Sequence, residues 1–259
     1  MSELMRPTRR AALIGAAGAG GLMLTGCDQL SRSASFRRVL ATAELWNMTA
    51  QRLVLGGQAP LAREFTTADL SPVFKANGSI KPGGAAYRQM LENGFADWRL
   101  QVHGLVRHPL SLSLDELKAL PSRSQITRHD CVEGWSAIGG WTGVQLGLLL
   151  KSASLLPQAR YIVFHCADNL GGGPHGMYYE SIDLVDAAHP QTILAYAMNG
   201  QPLPVAHGAP LRLRLERQLG YKMAKYVMRI EAVDSLARIG QGKGGFWEDS
   251  SGYAWYGGI

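Results

Sequence analysis

Thirty-one glycines and 12 prolines are spread through 259 residues, and no other feature limits the fold as much. Glycine frees the backbone for turns, and proline removes a donor and stops helices and central strands. A chain punctuated in this way must be built from short elements joined by turns. The glycines follow no three-residue period, which excludes a collagen-like rod. Hydrophobic residues at 46% and charged residues at 18% exclude intrinsic disorder. Three cysteines are too few for a disulfide scaffold. The net charge of +6 suits an anionic partner, without being a nucleic-acid signature.

The patterning predicts a helix over 41–55 stopped by Gly56-Gly57, an irregular or extended stretch over 65–74, and a short helix over 85–91. Trp98, Leu100 and Val102 alternate with Arg99, Gln101 and His103 as in a half-buried strand. Leu110–Leu112 alternates again, and Ser113-Leu114-Asp115-Glu116 is a capping box opening a helix to Leu120. Strands are expected over 125–131, 161–166, 192–198, 211–215 and 226–233, with Asn199-Gly200 as a hairpin turn. Helices are expected over 141–151 and 181–188, and the Gly- and aromatic-rich tail from Gly240 receives no assignment. The sum is a mixed α+β chain in which strands outnumber helices.

The N-terminus reads as an export signal. Arg9-Arg10 precedes an uncharged run from Ala11 to Thr25, too short for the roughly 20 residues of a spanning helix and suited to a secretory signal. The twin arginine resembles a Tat signal. Leu24-Thr25-Gly26-Cys27 matches a lipobox with Cys27 as the lipidated residue. The expected organisation is a signal peptide over 1–26, a tether over 27–40 and one domain over 41–259.

Several motifs are lookalikes. Gly240-Gln241-Gly242-Lys243-Gly244-Gly245 lacks the following helix and acidic residue of a dinucleotide site. His129-x-Cys131 and His165-Cys166 match no common zinc spacing. Cys131 with His129 or His165 leaves a cysteine hydrolase open. In Leu211-Arg212-Leu213-Arg214-Leu215 the leucines take one strand face and the arginines the other, and Lys222 and Lys225 follow. This row of cations suits a phosphate, or is a solvated strand face.

Four segments in order resemble one family. Asp130-Cys131-Val132-Glu133-Gly134-Trp135-Ser136 resembles the cysteine segment of the sulfite oxidase-type molybdopterin oxidoreductases, in the branch of the periplasmic methionine sulfoxide reductase catalytic subunit. The stretch 184–195, with His189-Pro190-Gln191-Thr192, resembles that family's D-x-A-x-H-P-x-T-x-L region. His207-Gly208-Ala209-Pro210-Leu211-Arg212 resembles its H-G-x-P-x-R motif, and Gly220-Tyr221-Lys222-Met223-Ala224-Lys225 its G-[FY]-K-x-x-K.

The resemblance implies a sulfite oxidase-type molybdopterin-binding fold and one molybdenum-molybdopterin per chain. It implies Cys131 as the thiolate ligand of molybdenum and the catalytic residue. Arg212 and Lys225 become contacts of the pterin phosphate, and His207, Met223, Ala224 and Asn77 further cofactor contacts. Met223 and Ala224 would act through backbone groups. Cys166 stands where the branch has a cofactor-contacting threonine, and so either lines the pocket or fills core volume. Tat export fits a cofactor loaded before translocation.

The arginine-rich oxyanion segment of sulfite oxidases is missing here. A sulfoxide or N-oxide is therefore expected as substrate ahead of sulfite. No second redox centre is encoded, so a separate electron carrier, a cytochrome, is implied. With 25 residues after Asp234 there is no room for a dimerisation domain, and a monomer is expected. Two readings stand beside this one: a non-catalytic anion-binding lipoprotein, and a sulfite-oxidising enzyme of the same fold.

Overall fold

The structure is a computed structural model that describes residues 33–54, 60–173 and 176–259. The expected signal peptide and Cys27 lie outside the described residues. The chain divides into two compact units, Met1–Val54 and Leu55–Ile259. In the first, helix α1 spans Ala34–Val54. Residues 34–40, expected as tether, are therefore helical, and the helix expected from Ala41 belongs to this unit rather than to the domain. Among the described residues no helix is long and apolar enough to cross a membrane.

The second unit holds two five-stranded sheets and short helices, as the punctuation requires. The first sheet has the order β2-β1-β10-β5-β6. Its strands are β1 (Arg99–Gly104), β2 (Leu110–Ser113), β5 (Tyr161–Asn169), β6 (Met177–Asp183) and β10 (Val227–Val233). The second runs β3-β4-β7-β8 with β9 added on β7, built from β3 (Ser122–Asp130), β4 (Ser136–Gln145), β7 (Ile193–Met198), β8 (Gln201–Pro202) and β9 (Arg212–Arg214). Leu100 and Val102 of β1 are fully buried between exposed or half-buried neighbours, as the alternation demands. They join Trp98, Leu146, Ile162, Phe164, Leu213 and Ile230 in the main core. The Ser113 capping box forms as read, with Glu116 answering the Ser113 amide at 2.7 Å. Asn199 and Gly200 both take positive φ in the β7–β8 hairpin.

Two expected helices begin as strand and turn helical only in their second part. Over 141–151, β4 continues to Gln145 and helix α4 occupies only Leu146–Ala153. A Cβ on Gly143 would stand 2.1 Å from the Leu194 carbonyl, and one on Gly139 would stand 3.0 Å from the Phe74 ring. These glycines mark close approach within the sheet. Over 181–188, β6 persists to Asp183 and α5 is the single turn Leu184–Ala187, capped by Asp183. Helix α2 is Ala85–Glu92, helix α3 is Leu114–Lys118, and the unassigned tail carries helix α6 (Phe246–Ser251).

Candidate active site

Cys131 stands at the turn where β3 reverses into β4. Its amide donates to the Trp135 carbonyl at 2.9 Å, and its own carbonyl accepts from Gly134 at 3.0 Å. Gly134 supplies the positive φ of 84° that closes the turn. The main chain around the cysteine is thus fully engaged, while the thiol is free. It forms part of the wall of a cleft of about 680 Å³, open mouth included, with Asn77, Ser79, Asp168, Gly220, Met223 and Lys225.

The loop carrying Asn77 is held from below. Lys225 Nζ donates to the carbonyls of Asn77 at 2.7 Å, of Ala206 at 3.1 Å and of Ser79. The Tyr226 hydroxyl donates to the Ser79 carbonyl at 2.9 Å. Asn77 Nδ2 then lies 3.6 Å from Cys131 Sγ. The 77–79 loop and the cysteine turn, 54 residues apart in sequence, meet at the thiol.

The row of cations expected from the sequence divides when folded. Its arginines are not a solvated face: Arg212 and Arg214 are both buried, over the Trp141 ring at 4.8 and 4.3 Å. Arg214 is neutralised by Glu216 through two bonds of 2.6 and 3.0 Å. Lys222, expected in the same row, instead points into a closed interior site with Glu180 and Glu248. It is fully buried and serves no external anion.

Arg212 and Lys225 remain. Arg212 donates once, to the His207 carbonyl at 3.0 Å, and its Nε is buried with no partner among the described residues. Burial and the neighbouring Arg214 push it down to about 9. Burial and Arg212 push Lys225 down to about 7. Two buried cations, neither ion-paired to a carboxylate and one depressing the other, call for an anion between the β9 strand and the 77–79 loop.

Asp168, which the sequence reading missed, supplies the opposite charge. Its side chain is buried in the cleft wall with Oδ1 unpartnered among the described residues, and burial pushes its carboxyl up to about 6. An isolated aspartate in the apolar run of β5 was the available signal. Gly220 is needed for space: a Cβ there would fall 2.4 Å from His129 Nε2.

The other expected site residues are placed as follows. Met223 reaches the cleft, but its amide donates to the Gly220 carbonyl at 3.1 Å, so its side chain and not its N–H is offered. Ala224 is fully buried off the cleft, with its N–H on Lys222 and its carbonyl on Leu213 N. The backbone role expected of these two is not open at those groups. His207 stands behind the cleft, edge-on to Phe74 at 5.6 Å. Cys166 faces the main core and a separate groove with Tyr87, Met90 and Met228, not the Cys131 cleft.

The hydrolase alternative fails on geometry. His129 Nδ1 lies 3.1 Å from Arg214 Nη1 and 3.3 Å from Met223 Sδ, and burial with Arg214 pushes the ring down to about 2. It is neutral and committed away from the thiol. His165 pairs with Glu231 at 2.8 Å on the other sheet. Among the described residues no cluster of histidine, cysteine and carboxylates is arranged to hold a metal on its own.

Residues 88–238 match the family model of the oxidoreductase molybdopterin binding domain. The chain belongs to this family. It is an oxidoreductase with a molybdopterin-binding domain, which displaces the reading as an anion-binding lipoprotein without catalysis. A protein of Azospira oryzae, provisionally named a protein-methionine-sulfoxide reductase subunit, is 37% identical over 257 residues, covering 97% of this chain and 88% of that one. Two proteins named protein-methionine-sulfoxide reductase catalytic subunit are also similar. The one from Xanthomonas axonopodis pv. citri is 39% identical, and the one from Gluconobacter oxydans 36%, over 54% and 53% of this chain. The matches span about half the length of those two relatives, 46% and 47%. The crystal structure of the sulfane dehydrogenase SoxCD from Paracoccus pantotrophus aligns with a TM-score of 0.48 and 24% identity, over 54% of this chain and 39% of that one.

The molybdopterin domain fits the residues present. A free thiol, an orphaned guanidinium nitrogen, a lysine and an orphaned carboxyl oxygen surround one cleft and its back wall. These are the donors that a metal, a phosphate and a pterin's amino groups require.

Proposed function

We propose that this chain is an exported molybdoenzyme that reduces a sulfoxide, with one molybdenum-molybdopterin held per chain. Cys131 is the thiolate ligand and catalytic residue. Arg212 and Lys225 hold the cofactor's phosphate, and Asp168 accepts from its amino groups. Asn77 orients the thiolate, with Met223 beside it. His207 and Ala224 support the cofactor through Arg212 and the β9 strand, and Cys166 is core rather than contact. When bound, the cofactor supplies two-electron oxygen-atom transfer. Reduction consumes two electrons and two protons and yields a sulfide and water. The electrons come from a separate carrier, a cytochrome of the membrane or periplasm. Twin-arginine export, a lipid anchor at Cys27, a periplasmic location and a monomeric state complete the proposal.

One observation carries the choice of a neutral substrate over sulfite. A buried dianion needs cationic partners, and the one cation among the described residues of the cleft wall, Lys225, is assigned to the cofactor's phosphate. Arg128, the nearest alternative in sequence, is exposed and bonded to Asp130 at 2.9 Å. The names of the relatives support the same choice. The test is a steady-state assay of the loaded enzyme with a reduced dye plus methyl sulfoxides, beside sulfite plus an oxidised acceptor. Sulfoxide reduction is expected. Sulfite oxidation without it would overturn the proposal.

A further inference from the structure

The walls of the Cys131 cleft differ in chemistry. One set is polar: Asn77, Ser79, Asp168 and Lys225. The other is Trp247, Tyr253, Tyr221, Leu170 and Val132, the first two from the tail that the sequence left unassigned. Trp247 and Tyr253 lie stacked, ring centroids 6.0 Å apart at 25°, and Tyr221 meets Tyr253 edge-on at 5.2 Å. Gly252, at φ 70°, reverses the chain after α6 so that Tyr253 returns over Trp247, its amide bonded to the Trp247 carbonyl at 3.3 Å.

This aromatic surface is fixed from behind. Glu248, the residue after Trp247, is buried on Lys222 at 2.8 Å. Asp249 accepts from the amides of Gln241 at 2.8 Å and Lys243 at 3.0 Å, and from the Tyr179 hydroxyl. The Tyr221 hydroxyl donates to the Ala254 carbonyl at 2.7 Å, and Trp255 Nε1 donates to Ser181 Oγ at 2.8 Å. Such anchoring is more than a loose tail needs. It holds two half-buried rings in one place beside the thiol while leaving them in the cleft wall.

We infer that Trp247 and Tyr253 form the specificity wall of the active site, selecting oxo-substrates that carry an aromatic or extended apolar group beside the reacting oxygen. Lys225 and Asp168 are assigned to the cofactor and Glu133 pairs with Lys75 at 3.3 Å, so this wall has nothing to offer an anionic flank and a large π-face to offer an apolar one. The inference rests on the proposed sulfoxide reduction and names its substrate class.

The test compares holoenzyme with Trp247→Leu, Trp247→Phe and Tyr253→Leu. Methyl phenyl sulfoxide, dimethyl sulfoxide and a carboxylate-bearing sulfoxide serve as substrates. Methyl phenyl sulfone, which is not reduced, is titrated by tryptophan fluorescence. The expected result is that wild type prefers the aryl substrate. Trp247→Leu and Tyr253→Leu should raise its KM about tenfold, equal to roughly 1.4 kcal/mol, and raise the KM for dimethyl sulfoxide by less. Trp247→Phe should keep the preference, and molybdenum content should be unaltered. An unchanged preference in both Leu variants, with metal retained, would overturn the inference. Loss of molybdenum from Trp247→Leu would also overturn it, because the ring would then be holding the cofactor. If no sulfoxide is reduced at all, the proposed function fails. The sulfone titration still decides the wall in that case, since weaker binding in both Leu variants supports it and equal binding refutes it.

Discussion

Lys222→Met tests the least expected feature of the interior. Lys222, Glu180 and Glu248 are all fully buried, and among the described residues the ammonium is the one counter-charge to two carboxylates there. Glu180 Oε2 and Glu248 Oε2 have no partner among the described residues. Removing one member of a buried ion cluster costs about 3–5 kcal/mol, because the partner charges stay desolvated. For a domain of this size each kcal/mol moves the midpoint by about 2–4 °C, so a fall of roughly 6–20 °C is expected. The loss should depend on pH with a definite sign. Burial holds the Glu180 carboxyl well above the usual carboxylate range. A raised folded value gives stability that is present in acid and lost as pH rises through that value. Lys222→Met removes the opposing charge and strengthens the effect, so the variant should lie nearest wild type near pH 4–5 and furthest from it above neutrality. Calorimetry at pH 5 and 7.5 measures both. Lys222→Met/Glu180→Gln/Glu248→Gln should regain most of the loss. A destabilisation under about 1 kcal/mol, the scale of an exposed pair, or one that is flat with pH, would refute the reasoning.

Three other variants follow from the site. Gly220→Ala forces a Cβ to within 2.4 Å of the buried His129 ring and should cost about 1–3 kcal/mol, read by thermal melting. Arg212→Met removes a guanidinium with an orphaned nitrogen. A lost charge-assisted bond is worth about 1.5–3 kcal/mol, so cofactor retention should fall by roughly tenfold to a hundredfold, measured as molybdenum per chain after gel filtration. Replacing Arg9 and Arg10 by Lys should leave folded, cofactor-bearing protein in the cytoplasm. Cys27→Ser should move the mature protein out of the membrane fraction; unchanged fractionation of both would argue against the proposed export and anchor.

The sequence was most legible where local pattern and tertiary demand agree. The β1 alternation and the Ser113 capping box are decided by near neighbours, and both form as written. β4 was misread because its glycines answer contacts with Phe74 and Leu194, far away in the chain. The same limit applies to charge. Arg212, Arg214, Lys222 and Lys225 look alike in sequence, yet Glu216, Glu180 and Glu248 remove two of them from the anion site. The Cys131 segment was readable through its resemblance to a family motif, while the turn that carries it was not foreseen. Asp168 and the Trp247–Tyr253 wall reach the cleft through pairing and anchoring that no short motif records.

The central claim is that Cys131 ligates the metal. It is tested most directly by molybdenum content and sulfur coordination, from X-ray absorption and paramagnetic resonance, in wild type, Cys131→Ser and Cys166→Ser. The account predicts one molybdenum per chain in wild type. Cys131→Ser should lose one sulfur from the coordination shell and lose turnover. Cys166→Ser, altered in the core and away from the cleft, should keep the wild-type signal. An unchanged signal with full turnover in Cys131→Ser would contradict it.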